Sequence, residues 1–478
     1  MLFGWWWLLM LIFLFIVVLD YIYYADAGNT KIVFLNFSII VFFFFLFMFS
    51  NFDFSTVFFY SLNLKILWFW NISITYGIDS LSLVFLLLTA FIFVICALVA
   101  WNSIKFKINL FFILLLLLEF FILNVFISFD LLFFYFWFES SLLPIFFIIL
   151  IWGNNSRKIN AAFYLVMYTF VFSILFFFSI IFLHYFVGTT NVFVLTYFIE
   201  INEYYQKIFF IFFFFAFAVK LPIFPLHIWL PEAHVEAPTV GSIILASLLL
   251  KLGYYGALRF FMQFFLSAIL YFKPILAVIR IISCTYSSLI ALSQFDIKKL
   301  IAYSSVAHMS LSLLGLFSCN LYGILGSFIL AVGHTFVSTA LFFLVGSLYD
   351  RYHTRIADYF FGLGRYLPFY STMFFNFLIS NFGFPVSLNF VGEFLILVGI
   401  GDWNLIILIF LIFYSVLSVA YNLFLYTRIF HGAPKVFLAL DLLKLEILIL
   451  VPLLLSNFFL CFFPSFLIKL ILPALILF

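Results

Sequence analysis

Apolar runs of about 18 to 25 residues, the length an α-helix needs to cross a bilayer, follow one another along the chain with short polar breaks between them. About fourteen can be placed, near 2–19, 32–49, 81–101, 108–128, 131–151, 161–183, 208–230, 240–262, 274–293, 300–318, 321–348, 367–398, 403–427 and 446–471. The pattern predicts an all-α polytopic membrane protein. Two runs are interrupted: Pro222 and Pro225 stand in the seventh, and Gly383 and Pro385 near the middle of the twelfth. Proline has no amide to donate and clashes with the carbonyl four residues back, so both helices should break there. Broken helices five spans apart suit an inverted repeat of five helices each, assigned to helices 4–8 and 9–13.

Loop charge gives the sides. Lys105 and Lys107, Arg157 and Lys158, Lys298 and Lys299, Arg351 and Arg355, and Lys435 follow odd-numbered runs. The opposite loops are expected to hold Asp130, Glu200, Glu203, Glu232, Glu236 and Asp402, with scattered basic residues such as Lys65, Lys207 and Lys273. Short basic loops stay on the side of synthesis, so both termini are expected on the outer, less basic side. The first run, without a basic leader or small-residue cleavage site, is read as a retained span.

Composition narrows the class. At 68% hydrophobic and 8% charged residues, the chain cannot be a soluble domain, because lipid must cover most of its apolar surface. Its 82 phenylalanines exceed what packing requires and suit an A+T-rich, organelle-type genome. Cys96, Cys284, Cys319 and Cys461 are scattered singly, without the paired spacing of a metal or iron-sulfur site. No glycine-rich phosphate loop or dinucleotide fingerprint is present, so no bound NADH, ATP or metal is expected, and no nucleic-acid partner.

The informative charges are those inside the runs. A lysine near the bilayer centre costs about 2.5 to 3.5 kcal/mol even on the lenient insertion scale, so such residues usually have a function. Glu139 lies eight residues past Leu131, ~12 Å along a helix, and needs a cation or a proton. Lys220, at the break of the seventh run, is the expected partner, and a pair so far from water would titrate as a coupled unit; a static pair that fixes packing is the plainer reading. Lys251 is eleven residues into the eighth run with no neighbour in sequence to neutralise it. Burial disfavours a charged amine, which suits proton exchange; snorkelling to an interface is the alternative.

His308 in AYSSVAHMS and His334 in AVGHTF sit within consecutive runs, either as relay groups or as hydrogen-bonded core histidines. Glu393, eight residues after Pro385, would end a row of ionisable groups at the midplane. Glu119 is open to two readings, a member of that row or a packing partner. His227, Glu232, His234 and Glu236 surround the turn between runs 7 and 8, where water is expected to reach them; PEAHVEAP lacks the i, i+4 histidines of a zincin, and the cluster is read as shaping the turn or a proton exit.

Six segments then carry a resemblance: IDSLSLVFLLLT, FYFWFESSLLPIF, the stretch from Phe217 to Gly256, DIKKLIAYSSVAHM, LVGSLYDRYHTR and FVGEFLIL. From about Ile78 to Lys435 the chain resembles the antiporter-like membrane subunits of proton-pumping NADH:ubiquinone oxidoreductase, respiratory complex I, and among them the subunit 4 type. The sister subunit 5 would add a long lateral helix and a lysine where Glu393 stands, and subunit 2 likewise tends to lysine there. The resemblance implies fourteen helices, broken helices 7 and 12, and a proton route through Glu139, Lys220, Lys251, His308, His334 and Glu393. It implies 78–435 as the translocating core; the stretches on either side carry no usable resemblance, and the placed runs make residues 1–77 N-terminal helices and loop and 436–478 a C-terminal helix. It also implies a mitochondrial inner-membrane location, neighbouring membrane-arm subunits and lipids as partners, and FMN, iron-sulfur clusters and ubiquinone held elsewhere in the complex. Gly333 and Thr335 depart from the family, where Ser and Gly usually flank the histidine. An independent cation/proton antiporter would share the same core, and a purely structural spacer is the third reading.

Overall fold

The computed structural model describes residues 14–24, 26–52, 60–65, 73–198, 203–433 and 440–475. Among these, eleven helices are long and apolar enough to cross a membrane. The helices are α1 (Leu14–Tyr24), α2 (Ala27–Ser50), α3 (Ser80–Ser103), α4 (Ile108–Ile127), α5 (Leu131–Ser140), α6 (Leu142–Trp152), α7 (Lys158–Val187), α8 (Val192–Phe198), α9 (Glu203–Lys220) and α10 (Trp229–Glu236). They continue as α11 (Thr239–Phe264), α12 (Leu266–Ser293), α13 (Ile297–Phe317), α14 (Leu321–Tyr352), α15 (Pro368–Asn381), α16 (Leu388–Gly401), α17 (Leu405–Phe430), α18 (Lys444–Phe462) and α19 (Pro464–Leu475).

Most predicted runs reappear as helices, with instructive differences. The seventh run is divided into α9 and α10 around Pro222 and Pro225, and the twelfth into α15 and α16 around Pro385. The last run is not one helix: it stops at Phe463, and Pro464 begins a second, because proline is best tolerated in the first turn of a helix. The ninth begins at Leu266 and carries Pro274 inside it. The eighth contains two π-helical segments, Leu245–Leu249 and Ala257–Phe261. Residues 2–13 of the first run, and Glu200 and Lys435, lie outside the described residues.

The sequence pattern gave no sign of an antiparallel hairpin, β1 (Tyr60–Lys65) with β2 (Ser73–Ile78), registered from Tyr60↔Ile78 to Lys65↔Ser73. Tyr76 pairs onward with Ser128, and the Phe129 amide donates to the Thr75 carbonyl at 2.9 Å. Two of the quoted motifs prove to be helix starts. Asp79 accepts from the Ser82 amide at 2.9 Å while Ser82 Oγ accepts from the Asp79 amide at 2.9 Å, a reciprocal capping box that opens α3. Asp296 caps α13 through the Lys298 amide at 2.9 Å.

The chain forms two compact units: Met1–Lys220 with Tyr255–Ile269 and Lys469–Phe478, and Leu221–Tyr254 with Leu270–Ile468. In the first, Phe134, Phe138, Phe176, Phe213 and Phe217 pack ring on ring. In the second, α14 and α16 approach backbone to backbone. A Cβ on Gly392 would stand 2.6 Å from the Leu330 amide nitrogen, and one on Gly333 would stand 2.4 Å from Asn389 Oδ1. Small residues allow this contact, and it brings the helix bearing Glu393 onto the helix bearing His334.

Candidate proton-transfer site

In the first unit, α5 stops at Ser140 and α6 starts at Leu142, and this interruption frees the Phe138 carbonyl. That carbonyl accepts from Ser141 Oγ at 2.8 Å and from Lys220 Nζ at 2.8 Å. The Lys220 ammonium also lies 3.1 Å from the centre of the Phe138 ring, where the negative face of the π-system attracts a cation. Lys220 is only 4% exposed. The expected contact pair with Glu139 is therefore not formed: the ammonium is satisfied by its neighbour's carbonyl and ring. Glu139 stays within electrostatic reach of Lys220, with Ser173 also bearing on its carboxyl, and its Oε1 is buried without a hydrogen-bond partner.

The second unit gathers four of the predicted residues. Lys251 follows the π-helical segment Leu245–Leu249, where the shifted hydrogen-bond register leaves a carbonyl within reach. Its Nζ donates to Ala246 O at 2.8 Å and meets His334 Nδ1 at 2.8 Å. Lys251 is 1% exposed, so it does not snorkel. The His334 and His308 rings are 5.7 Å apart between centres. His308 Nδ1 lies 3.3 Å from Glu393 Oε1 and 3.3 Å from the Tyr414 hydroxyl. Glu393 opens onto a cavity of about 360 Å³ at the break between α15 and α16, lined by Gly383, Phe384, Pro385 and Ser415 among others. Gly383, at φ 70°, leaves the room this carboxyl occupies: a Cβ there would stand 2.5 Å from Glu393 Oε2.

The turn after α9 differs from the sequence reading. His227, His234 and Glu236 are buried. The cluster is not an open, water-reached turn. His234 stacks flat on Phe342, ring centres 4.5 Å apart, while Glu232, two residues earlier and so on the opposite helix face, pairs with Lys299 at 2.9 Å. Lys298 Nζ donates to Ala237 O at 2.6 Å, and Arg355 donates to Val235 O. These contacts set the turn beside the basic loops, so Glu232 and Glu236 do not belong with the acidic loops of the opposite side. Cations at these carbonyls satisfy the free C-terminal end of α10.

Three groups escaped the sequence reading. Asp79 and Arg259 form a buried ion pair, with the guanidinium 4.4 Å over the Phe129 ring. Arg280 is fully buried near Phe317. Both arginines stand within apolar runs, which was a usable signal. Tyr414 carried none, being one aromatic among many. Glu119 is fully buried on α4, and neither carboxyl oxygen has a hydrogen-bond partner.

Asp130 lies outside the membrane-length helices, between α4 and α5. Asp130 caps α5 through the Leu132 amide at 2.9 Å and accepts from Thr190 Oγ1 at 2.7 Å. Burial pushes its carboxyl above the usual carboxylate range, against the pull of these hydrogen bonds.

Comparisons with known proteins give the family and the fold. Residues 128–418 match the family described as NADH:quinone oxidoreductase/Mrp antiporter, TM. NADH-ubiquinone oxidoreductase chain 4 of Acanthamoeba castellanii is 41% identical over 87% of this chain and 85% of its own length. Among solved structures, a chain of respiratory complex I from Thermus thermophilus superposes with a TM-score of 0.89 at 24% identity, covering 98% of both chains. A chain of the Mrp complex from Dietzia sp. gives a TM-score of 0.85 at 17% identity, covering 98% of this chain and 96% of that one, a likeness of fold. By sequence over most of its length, the chain belongs to the NADH-ubiquinone oxidoreductase chain 4 family.

Proposed function

We propose that the chain is a membrane-arm subunit of respiratory complex I that moves protons across the mitochondrial inner membrane, driven by electron transfer from NADH to ubiquinone in other subunits. Family membership supports the assignment. The observation that carries the mechanism is the chain of contacts Lys251 to His334 at 2.8 Å and His308 to Glu393 at 3.3 Å. A proton leaves the Lys251 ammonium for Nδ1 of His334, passes to the His308 ring, and is released from Nδ1 of His308 to the Glu393 carboxylate. Groups already at or near hydrogen-bond distance need little rearrangement for transfer. Glu139 and Lys220 form the other charge element: a change in the charge of either alters the protonation of its partner through a water-poor medium.

On this reading the five-helix segments 4–8 and 9–13 are inverted repeats within fourteen helices, and residues 78–435 are the translocating core. FMN, iron-sulfur clusters and ubiquinone are handled by partner subunits, and neighbouring antiporter-like subunits and lipid surround this one. The phenylalanine-rich composition suits a mitochondrially encoded chain.

The independent antiporter shares this core but predicts another assembly. A native gel of mildly solubilised membranes, stained for NADH oxidation and probed for peptides of this chain, separates them. Comigration with the large NADH-oxidising band is the expected result; confinement to a small band without that activity would overturn the assignment.

A further inference from the structure

His308 Nδ1 has two neighbours at the same 3.3 Å, Glu393 Oε1 and the Tyr414 hydroxyl. Only the hydroxyl is aligned as a hydrogen bond; Oε1 makes none. An imidazole nitrogen is either a donor or an acceptor, and when bare it has a single lone pair in the ring plane. While Nδ1 carries a hydrogen, the carboxylate is the stronger acceptor, because a charge-assisted bond outweighs a neutral one. Once the hydrogen has moved to Glu393, two donors compete for the bare nitrogen: the new carboxylic O–H and the phenolic O–H.

We propose that Tyr414 is a positioning residue that latches the relay, donating its O–H to His308 Nδ1 after that nitrogen has given its proton to Glu393, and so denying the proton its way back. The inference rests on the relay reading given above. With Nδ1 covered and the remaining hydrogen on Nε2, the ring can neither recover the proton from Glu393 nor take another until the latch opens. The site favours such a role. Tyr414 is buried in the packing of α12, α13, α14, α16 and α17, with Cys284, Leu311, Leu330 and Ile396 in the same cluster, and its ring meets the His308 ring edge-on at 6.4 Å. The ionisable groups that act on Tyr414 are Glu393, Cys284 and Tyr421, and His308 is flanked by His334 on its other side. The imidazole is the group its hydroxyl hydrogen-bonds, at 3.3 Å.

The test uses the intact complex reconstituted in liposomes, with protons moved per electron measured against an imposed opposing pH gradient. One net hydrogen bond shifts an equilibrium by roughly threefold to tenfold, which is about half to one pH unit. Tyr414→Phe should lose part of its proton yield at an opposing gradient smaller than wild type by that amount. Tyr414→Leu, which also lacks the hydroxyl, should show the same displacement. A shift in Tyr414→Leu alone would mean that the ring packs and the hydroxyl does nothing, overturning the latch. Failure of both variants to assemble would assign the hydroxyl to folding and overturn it equally. Lys251→Met in the same assay separates the levels. If it too keeps the wild-type yield, the relay has failed; if it loses yield while Tyr414→Phe tracks wild type at every gradient, only the latch has.

Discussion

Replacing Gly392 by alanine adds one methyl where α16 touches α14. The new Cβ would stand 2.6 Å from the Leu330 amide nitrogen and 2.8 Å from Leu330 Cα. Both are backbone atoms of a helix that cannot rotate away, whereas carbon contacts settle near 3.5 to 4.0 Å. The helices must therefore part by about 1 Å. Overpacking of this kind costs roughly 1 to 3 kcal/mol, partly offset by the better helix propensity of alanine, about 0.5 to 1 kcal/mol. The functional cost should be larger. Glu393 is the next residue, so the same displacement stretches its 3.3 Å approach to His308, and an error of ~1 Å in a reacting pair can cost about a hundredfold in rate. Gly401 on the same helix is the control: its Cβ would meet nothing closer than Leu408 Cδ2 at 3.8 Å. NADH-driven proton uptake, normalised to assembled complex on a native gel, should collapse in Gly392→Ala and persist in Gly401→Ala. Wild-type pumping by a fully assembled Gly392→Ala complex would refute the claim that the close seam positions the relay.

Two other expectations concern the first unit. Arg259→Leu leaves Asp79 buried without its cation, which costs about 3 to 5 kcal/mol; a marked loss of assembled complex on native gels is expected, and wild-type abundance would show that the pair is dispensable. At Asp130 the sign follows from the raised folded-state pKa: the carboxyl's contribution is fully present below its unfolded pKa and is lost as pH rises through the folded one. Asp130→Asn, which keeps an acceptor for the Leu132 amide, should be neutral or slightly stabilising in a thermal melt at neutral pH. Asp130→Ala should lose about 0.5 to 2 kcal/mol of capping. The reverse order of the two variants would count against this account.

The sequence exposed charges far better than contacts. Lys220, Lys251, His308, His334 and Glu393 could be picked out because a polar group in a membrane-length apolar run is costly, and four of these five meet in the second unit. Their partners were not legible. Helical period tells which residues share a face, but it does not say that the Lys220 ammonium would turn to the Phe138 carbonyl when Glu139 is the adjacent residue. That depended on the interruption at Ser141, which apolar periodicity does not register. The π-helical turns around Lys251 were equally hidden, since they use the residue types of an α-helix. Prolines announced the breaks at Pro222 and Pro385 through lost amides and steric conflict. The turn residues from His227 to Glu236 were misread because they were grouped with the acidic loops although they follow the seventh, odd-numbered run; their fold sets Glu232 on Lys299. Asp79 stood in a quoted motif, but its partner Arg259 lies 180 residues away, beyond any local pattern.

On the proposed function, protons cross the membrane through the buried row that begins at Lys251. Its most direct test is the number of protons moved per NADH oxidised by the purified complex in sealed liposomes, with Lys251→Met in place of the wild-type chain. A lower ratio is expected in the variant, in a complex that still assembles. An unchanged ratio would contradict the proposal.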